Sequence, residues 1–381
     1  MLGHISPWMN DELRAFRDTL RRFVADDLVP RQPRWQEQRR ADPDAWTRSG
    51  AIGMLLPDVP QEYGGGGGTF AHEAIVLEEL TRAGVHLGTA IQSIVAHYVL
   101  AHGREEQRRA WLPRLARGGV VAAIAMTEPA AGSDLQGIKA TARRDGDRYV
   151  VRGSKTFITN GAQAGLVCLA VKTDAAAQGP KGISLLLVDT TQLEGYRVGK
   201  PLEKLGRHGQ DTCELFFEDA AVPASSLLGT AEGKGFFQLM DQLAYERLQV
   251  AVTAVTNAER AVAITAQHVK ERAAFGKPLF DLQNTRMKLA ECATEAQVGR
   301  VFLDSCIARQ LAGSMDAATA AMAKYWLTER EFHVLDECVQ LHGGYGYMAE
   351  YPIARMWVDC RVQRVYAGSN EVMKEVIAWS L

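Results

Sequence analysis

The sequence predicts an α+β protein with a helical region at each end and a β-rich region between them. Apolar residues recur at helical spacing up to about Gly118, and short apolar runs divided by turn residues follow as far as about Gly229. Long helical stretches return beyond Gly235. We therefore expect an N-terminal all-α domain over residues 1–119, a middle β-barrel or β-sandwich domain over 120–232, and a C-terminal four-helix bundle over 233–381.

The first predicted helix begins after Asn10, whose side chain can cap it, and Asp11 and Glu12 suit the positive end of its dipole. We expect Pro30 and Pro33 to end this helix. Its apolar face consists of residues at helical spacing: Leu13, Phe16, Leu20 and Phe23. Further helices of this region are predicted over three stretches: Thr69–Thr81, His86–Ala101 and Glu105–Ala116.

The middle region has the short apolar runs of β-strands, separated by breakers such as Asp145-Gly146-Asp147. The predicted strands include Val121–Met126, Tyr149–Val151, Leu166–Val171 and Ile183–Val188. The bundle is predicted from long helical stretches and a shorter pair near the end of the chain. The long stretches are Phe236–Arg272, Leu282–Leu311 and Asp316–Leu341.

Composition excludes several classes of protein. The chain has 381 residues, 47% of them hydrophobic, and Lys+Arg 43 against Asp+Glu 45 gives a net charge of −2. This balance disfavours nucleic-acid binding, and no apolar run reaches the roughly 18 residues of a membrane span. The six cysteines form no CxxC pair and are expected to be buried free thiols. The start of the chain lacks the pattern of a secretory or organelle signal, so we expect a cytoplasmic protein.

Two motifs point to a function. Thr127–Asp134 closes a predicted strand and brings together hydroxyls, backbone amides and a glycine, which can bind the edge of a heterocycle. It matches Thr-Glu-x-x-x-Gly-Ser-Asp, the first signature of the acyl-CoA dehydrogenase family, at every fixed position. The second signature, Gln340–Tyr347, reads Gln-Leu-His-Gly-Gly-Tyr-Gly-Tyr. It is followed at the expected offsets by Glu350, Arg355 and Asp359. Phe157–Asn160 and Arg272–Gly276 also resemble family elements, and the resemblance runs from roughly Leu13 to Trp379.

The resemblance implies the acyl-CoA dehydrogenase fold and FAD as the cofactor. Residues that it places at the flavin nucleotide are Met126, Thr127, Gly132, Ser133, Phe157, Thr159, Arg272, Phe275, Gln283, Gln340, Gly343, Gly344, Ser369 and Glu371. Those that it places at the substrate are Ser133, Phe237, Arg247, Ala367 and Gly368. It also implies a homo-oligomer, a tetramer built as a dimer of dimers, in which Arg272 and the Gly343-Gly344 turn reach the flavin of a neighbouring subunit.

The position of the catalytic base narrows the resemblance to one branch. Many family members carry a glutamate where this chain has Ala367. Glu246-Arg247-Leu248 is similar to the Glu-Arg pair of the long-chain and isovaleryl-type branch, whose base lies on the first bundle helix. The resemblance therefore implies that Glu246 removes the substrate α-proton. It further implies that the backbone N–H of residue 367 and a flavin ribityl hydroxyl stabilise the developing oxyanion.

The implied activity is α,β-dehydrogenation of a medium-chain, long-chain or branched acyl-CoA in fatty acid β-oxidation, with electrons passed to an electron-transferring flavoprotein. Two alternatives stay open: a dehydrogenase for a carrier-protein-tethered acyl or aminoacyl thioester, and a non-catalytic flavin or CoA-ester binding protein. Other chemistries lack their motifs, since the chain has neither HExxH nor paired CxxC for zinc and no GxSxG esterase elbow.

Overall fold

The computed structural model describes residues 4–177 and 179–381. The N-terminal third of the chain is helical, as predicted. Its helices are α1 (Asp11–Phe23), α2 (Gln32–Gln38), α3 (Pro43–Ala51), α4 (Phe70–Ala83), α5 (Thr89–His102) and α6 (Glu105–Ala116). The middle third carries strands β1 (Val121–Ala125), β2 (Thr141–Asp145), β3 (Arg148–Thr159), β4 (Ala164–Lys172), β5 (Ile183–Asp189), β6 (Tyr196–Val198) and β7 (Thr212–Pro223).

The C-terminal third is again helical. It contains α7 (Gly235–Glu271), the short strands β8 (Ala273–Ala274) and β9 (Lys277–Pro278), α8 (Gln283–Leu311), α9 (Ala317–Leu341), α10 (Pro352–Cys360) and α11 (Asn370–Ala378). The α+β class with helical, β and helical thirds is therefore confirmed. The bundle region is built from the three long helices α7, α8 and α9, with α10 and α11 as short additions.

The chain forms two compact units, and neither is continuous in sequence. The helical unit consists of the chain up to Val29, Phe70–Val85 and Ala244–Leu381. The sheet unit consists of Pro30–Thr69 and His86–Leu243. The boundaries of the three predicted domains stay a prediction, because the contacts within the chain group it into two compact units that begin and end at other residues.

The start of the first helix is as expected, but its end is not. The Asn10 side chain accepts a hydrogen bond from the Leu13 N–H at 2.8 Å and caps α1. The prediction that Pro30 and Pro33 end this helix is wrong. The α-helical part ends earlier, at Phe23, and a π-helical turn follows over Val24–Leu28. Pro33 lies in the first turn of α2, where a missing N–H costs no helical hydrogen bond.

The sheet of the sheet unit has seven strands in the order β1-β4-β2-β3-β7-β6, with β5 paired to β4. Strands β1 and β4 are parallel, with Ala123 opposite Val167, whereas β3 and β7 are antiparallel. Alternate residues of β4 enter two different hydrophobic cores: Leu166 and Cys168 join the core that includes residues of α5 and α6, and Val167 and Leu169 join the core on the other face. Burial on both faces explains the continuous apolar run of this strand.

The helical unit has its own core, in which α7, α8, α9 and α10 meet. Fully buried members include Ala261, Val334, Leu335 and Ile353. All six cysteines of the chain are free and buried, as predicted. Within residues 4–177 and 179–381, no helix combines the length and the apolarity that a membrane span needs.

Candidate active site

The predicted base, Glu246, lies on α7 in the helical unit and is only 5% exposed. The neighbouring residues of this turn fix it against α4. Tyr245 meets the ring of Phe70 edge-on, with centroids 5.3 Å apart. The Gln249 amide donates to the Glu73 carboxylate at 2.9 Å, and Glu73 is itself buried. The structure therefore holds the Glu246 carboxylate inside the protein on a fixed helical turn.

Arg247, the next residue, is also 5% exposed. Burial lowers the pKa of its guanidinium below its usual value, against the opposing effect of the Glu246 charge. Its Nε is buried without a hydrogen-bond partner in the described part of the chain. A buried guanidinium beside a buried carboxylate supplies local charge balance on this turn of α7.

Ala367, whose backbone N–H is the predicted oxyanion donor, lies in a turn of unusual backbone geometry. Ala367 has a φ of +53° and Gly368 a φ of +84°, both in the left-handed region. The ammonium of Lys324, on α9, donates to the Gly368 carbonyl at 2.6 Å and to the Asn370 Oδ1 at 2.8 Å. Burial, and after it the charge of Arg247, lowers the pKa of Lys324. The Glu246-Arg247 turn and the Gly368 turn are therefore electrostatically coupled.

In the sheet unit, the Met126–Asp134 turn and the end of β3 come together. The Thr156 N–H donates to the Thr127 carbonyl at 2.9 Å. The Lys155 ammonium reaches the Met126 carbonyl at 2.9 Å and the Glu128 carboxylate at 2.8 Å. The Thr127–Asp134 motif and the Phe157–Asn160 element, separated by some thirty positions in sequence, are thus brought together through Lys155 and Thr156.

The polar turn itself is open to ligands. Met126 and Thr127 are partly exposed, and Gly132 and Ser133 are exposed. A Cβ added at Gly132 would meet nothing within 4 Å, so another molecule can approach the backbone there. Glu128, the acidic residue of the signature, is only 7% exposed and has a structural role. Its carboxylate accepts the N–H groups of Lys139 at 2.6 Å and Ala140 at 3.0 Å.

Phe157 lies at an irregularity of β3, where the register with β7 shifts between Lys155 and Ile158. Its φ is +59° and its side chain is 67% exposed. A large aromatic residue in left-handed geometry on the surface is a strained feature of the kind that marks binding sites. Thr159 is half-buried, and Asn160 is buried, with its amide donating to the carbonyls of Gly88 at 3.2 Å and Ala122 at 3.1 Å.

A third group of predicted residues lies in the helical unit, at the ends of α7 and α9. Strands β8 and β9 form a tight hairpin whose two central residues, Phe275 and Gly276, have φ values of +54° and +78°. A type I′ turn requires two consecutive positive values of this kind. The Phe275 ring at its tip is 92% exposed. An exposed aromatic ring on a strained turn is suited to contact another molecule.

Arg272 precedes this hairpin and lies beside the glycine turn that follows α9. Its guanidinium is 5.5 Å from the centroid of the Tyr345 ring. The imidazoles of His268 and His342 stack with centroids 4.2 Å apart and join the two helix ends. Gly343 and Gly344 are exposed, and a Cβ on either would meet nothing within 4 Å. An open backbone beside a guanidinium suits a phosphate-bearing ligand.

The structure places the other predicted residues as follows. Gln283, Gln340 and Glu371 are exposed. Ser369 caps α11, since its hydroxyl accepts the Val372 N–H at 3.4 Å. Phe237 is 50% exposed and belongs to the sheet unit. Sequence reasoning missed the buried lysines Lys155 and Lys324. Neither element marks its lysine as buried, because β3 also carries the exposed Arg148 and Arg152 and α9 also carries Arg330.

Within each unit, an open turn and an exposed aromatic ring therefore fit contacts with a nucleotide cofactor, and the helical unit adds the Arg272 guanidinium. Comparisons with known proteins agree with this fit. Family models for the N-terminal, middle and C-terminal domains of acyl-CoA dehydrogenase match residues 10–119, 123–220 and 233–381.

Individual relatives resemble the chain over nearly its whole length. The mitochondrial long-chain specific acyl-CoA dehydrogenase of Sus scrofa is 43% identical over 97% of this chain and 86% of its own length. The crystal structure of acyl-CoA dehydrogenase from Geobacillus kaustophilus superimposes with a TM-score of 0.96 at 45% identity, covering 99% of both chains. A glutaryl-CoA dehydrogenase from Mycobacterium smegmatis in complex with FADH2 has a TM-score of 0.90 at 27% identity, covering 98% of this chain and 95% of the other. The chain belongs to the acyl-CoA dehydrogenase family and is an FAD-dependent enzyme that dehydrogenates acyl-CoA thioesters.

Proposed function

We propose that the enzyme converts a medium-chain, long-chain or branched acyl-CoA to the trans-2-enoyl-CoA, with Glu246 as the base that removes the α-proton. The observation that carries this proposal is the burial of the Glu246 carboxylate on α7, together with an alanine at position 367. A buried carboxylate is a stronger base than one in water, because desolvation disfavours the charged form. Arg247 sets the local charge and takes no part in the proton transfer.

Ala367 contributes its backbone and not its side chain. Its N–H donates to no backbone carbonyl of the described chain, so it is available to a substrate oxygen. We assign it as the donor to the thioester carbonyl, where negative charge develops as the α-proton leaves. Donors of this kind are typically worth about 3 kcal/mol of transition-state stabilisation. The methyl side chain of Ala367 leaves room for a carboxylate that comes from elsewhere, and Ser133, Phe237 and Gly368 complete the proposed substrate contacts.

The cofactor is assigned to two groups of residues. Met126, Thr127, Gly132, Ser133, Phe157 and Thr159 are the proposed contacts from the sheet unit. Arg272, Phe275, Gln283, Gln340, Gly343, Gly344, Ser369 and Glu371 are the proposed contacts from the helical unit. When bound, FAD supplies the acceptor for the β-hydride. We propose that the reduced enzyme then passes its electrons to an electron-transferring flavoprotein.

Replacing Glu246 with glutamine tests the assignment of the base. Glu246→Gln is expected to retain bound flavin and to slow substrate-dependent bleaching by about 10²–10⁴-fold, the usual contribution of general-base catalysis. Absorbance at the flavin maximum during anaerobic mixing with acyl-CoA measures both properties. Glu291→Gln, on the exposed surface of α8, removes a carboxylate of the same type and should bleach as the wild type does. Full bleaching by Glu246→Gln would place the base elsewhere.

The acyl group is identified by anaerobic titration with straight and branched acyl-CoAs of increasing length. We expect saturable bleaching with at least one medium-chain, long-chain or branched ester. Bleaching by acyl groups on carrier protein, with every CoA ester inert, would instead identify a carrier-dependent dehydrogenase.

We further propose a homotetramer located in the cytoplasm. The exposed Phe275 hairpin and the neighbouring Arg272 support the assembly, because an exposed aromatic ring and a guanidinium are suited to contact a second subunit and its cofactor. Six buried free thiols are compatible with a reducing compartment. Light scattering of the flavin-loaded protein should give four times the mass of one chain, and the mass of a single chain would exclude the proposed assembly.

A further inference from the structure

The turn that carries the Ala367 N–H adopts a conformation that it would not keep by itself. Ala367 and Gly368 are consecutive left-handed residues, a geometry that is strained for an alanine because its Cβ crowds the following carbonyl oxygen. Strained conformations of this kind persist only where the surrounding structure holds them. The direction in which the Ala367 N–H points therefore depends on contacts to the turn on both sides.

The preceding residue is held by the chain itself. The Tyr366 N–H donates to the Val362 carbonyl at 3.2 Å. Below the turn, Gly368 packs so closely on Met373 that an added Cβ would lie 2.6 Å from the Met373 Cε. Met373 is fully buried. These contacts fix Tyr366, which precedes the turn, and the face of Gly368 that packs on Met373. Neither contact binds the Gly368 carbonyl.

Lys324 holds that carbonyl. Its side chain is fully buried, and its ammonium donates to the Gly368 oxygen at 2.6 Å and to the Asn370 Oδ1 at 2.8 Å. The Asn370 amide donates in turn to the Thr328 hydroxyl at 3.0 Å and to the Glu329 carboxylate at 2.9 Å. Since Lys324, Thr328 and Glu329 all lie on α9, one helix clamps the turn through its side chains.

The cation at this position is unfavourable in itself. Burial, together with repulsion from Arg247, lowers the pKa of Lys324 to about 8. The protein therefore buries a second cation electrostatically coupled to Arg247, although a neutral residue would avoid this cost. Hydrogen bonds from a charged donor are roughly twice as strong as neutral ones, which is the advantage that a lysine offers to the Gly368 carbonyl.

We propose that Lys324 is the positioning residue of the oxyanion donor: by holding the Gly368 carbonyl, it fixes the left-handed Ala367 peptide so that the N–H points at the substrate thioester oxygen. This inference rests on the proposed function, which assigns that N–H to the thioester. Lys324 touches neither the substrate nor the reacting atoms in this role.

The test compares Lys324→Met and Lys324→Gln with the wild type. We expect Lys324→Met to keep bound flavin and a KM within about threefold of the wild type, while kcat falls about 10²-fold, the low end for loss of one oxyanion donor. Lys324→Gln retains an N–H donor and should lose less of kcat. Lys288→Met serves as the matched control, because this lysine forms an ion pair with Glu337 on the partly exposed surface of the same unit. Its kcat should equal that of the wild type.

A second readout isolates the proton transfer. An acyl-CoA with sulfur in place of the β-carbon can lose its α-proton but cannot donate a β-hydride. Exchange of its α-hydrogens with D₂O, followed by mass spectrometry, should slow in Lys324→Met by the same factor as kcat. Unchanged exchange and kcat in a folded Lys324→Met would overturn the proposal. Loss of folding in both Lys324 variants would assign the lysine to stability alone and would overturn it equally.

Bleaching of the wild-type flavin distinguishes failure of the proposed function from failure of the proposed role of Lys324. If no acyl thioester bleaches the wild-type flavin, the proposed function itself fails. If the wild type bleaches and Lys324→Met bleaches equally fast, only the positioning role fails.

Discussion

The Glu128–Lys155 pair illustrates how single residues hold the Met126–Asp134 turn in place. The Lys155 side chain is 0% exposed, and that of Glu128 is 6% exposed. Burial disfavours both charges, and it lowers the pKa of Lys155 to about 8. Although burial alone would raise the pKa of Glu128, donors from Lys155 and from the backbone keep it below its usual value. Both residues are therefore ionised at neutral pH, and each depends on the other.

Breaking this pair should destabilise the sheet unit. Lys155→Met is expected to lower the free energy of unfolding by about 3–5 kcal/mol, because it leaves a buried carboxylate without its counter-ion. Urea denaturation measures the change. Lys139→Met is the matched control: its side chain is exposed and its backbone N–H still binds Glu128, so the change should stay within about 0.5 kcal/mol. A loss below 1 kcal/mol in Lys155→Met would show that the carboxylate finds other partners.

At the scale of the residue, the sequence predicted the candidate ligand-binding residues better than the buried residues that hold them in place. Thr127, Gly132 and Ser133 were predicted from a motif whose polar groups face outward, and the structure leaves them partly or fully exposed. Lys155 and Lys324 were not predicted, since a lysine within an ordinary strand or helix is normally solvated. Their burial follows from contacts with residues far away in sequence, Glu128 and Gly368, and local pattern contains no information about such contacts.

At the scale of the element, the turn after α9 separates two kinds of glycine. A Cβ at Gly346 would lie 2.2 Å from the Val339 carbonyl oxygen, inside the end of the helix. A Cβ at Gly344 would meet no atom within 4 Å. The first glycine is thus required by the fold, whereas the second is free to serve a ligand.

Two alanine variants test this distinction. Gly346→Ala should lower the thermal midpoint, because the backbone at the end of α9 must shift to admit the methyl group. Gly344→Ala should keep the wild-type midpoint without cofactor but release flavin more readily during gel filtration, since the methyl group would occupy space that the nucleotide approaches. Equal flavin retention by Gly344→Ala and the wild type would remove this glycine from the proposed cofactor site.

The elements themselves were predictable to different degrees. Helices α4, α5 and α6 and the three long C-terminal helices follow from apolar spacing, and the structure confirms them within a few residues. Strand β7 and helices α2 and α3 were not predicted. Strand β7 alternates buried and partly exposed residues over Thr212–Phe217, a weaker signal than the continuous apolar run of β4. The position of β7 depends on its pairing with β3, and this pairing forms only in the folded protein.

At the scale of the whole molecule, each compact unit has its own buried ion cluster. In the helical unit, Arg300 is 4% exposed and binds the Glu259 carboxylate through two nitrogens, at 2.8 Å and 3.0 Å. It also binds Glu78 at 2.6 Å. These contacts join α4, α7 and α8, and they explain why Phe70–Val85 belongs with residues that follow it by more than 150 positions. Sequence order alone could not reveal this grouping.

Hydrogen–deuterium exchange should distinguish the two clusters. Arg300→Met removes the buried counter-ion of Glu78 and Glu259 and leaves them the more exposed Arg82. This loss should speed exchange in Phe70–Val85 and Ala244–Leu381. Lys155→Met should speed exchange in the sheet unit instead. Arg309→Met, on the exposed end of α8, is the control for Arg300 and should leave the pattern unchanged. Equal acceleration of both units by either variant would show that they open as a single cooperative body.

The burial of all six cysteines has a practical consequence for work with this enzyme. A thiol engineered onto the surface would react with maleimide dyes far ahead of the native ones, without any need to delete them first. A fluorophore attached through such a handle could report, in the otherwise native protein, when another macromolecule docks on the enzyme.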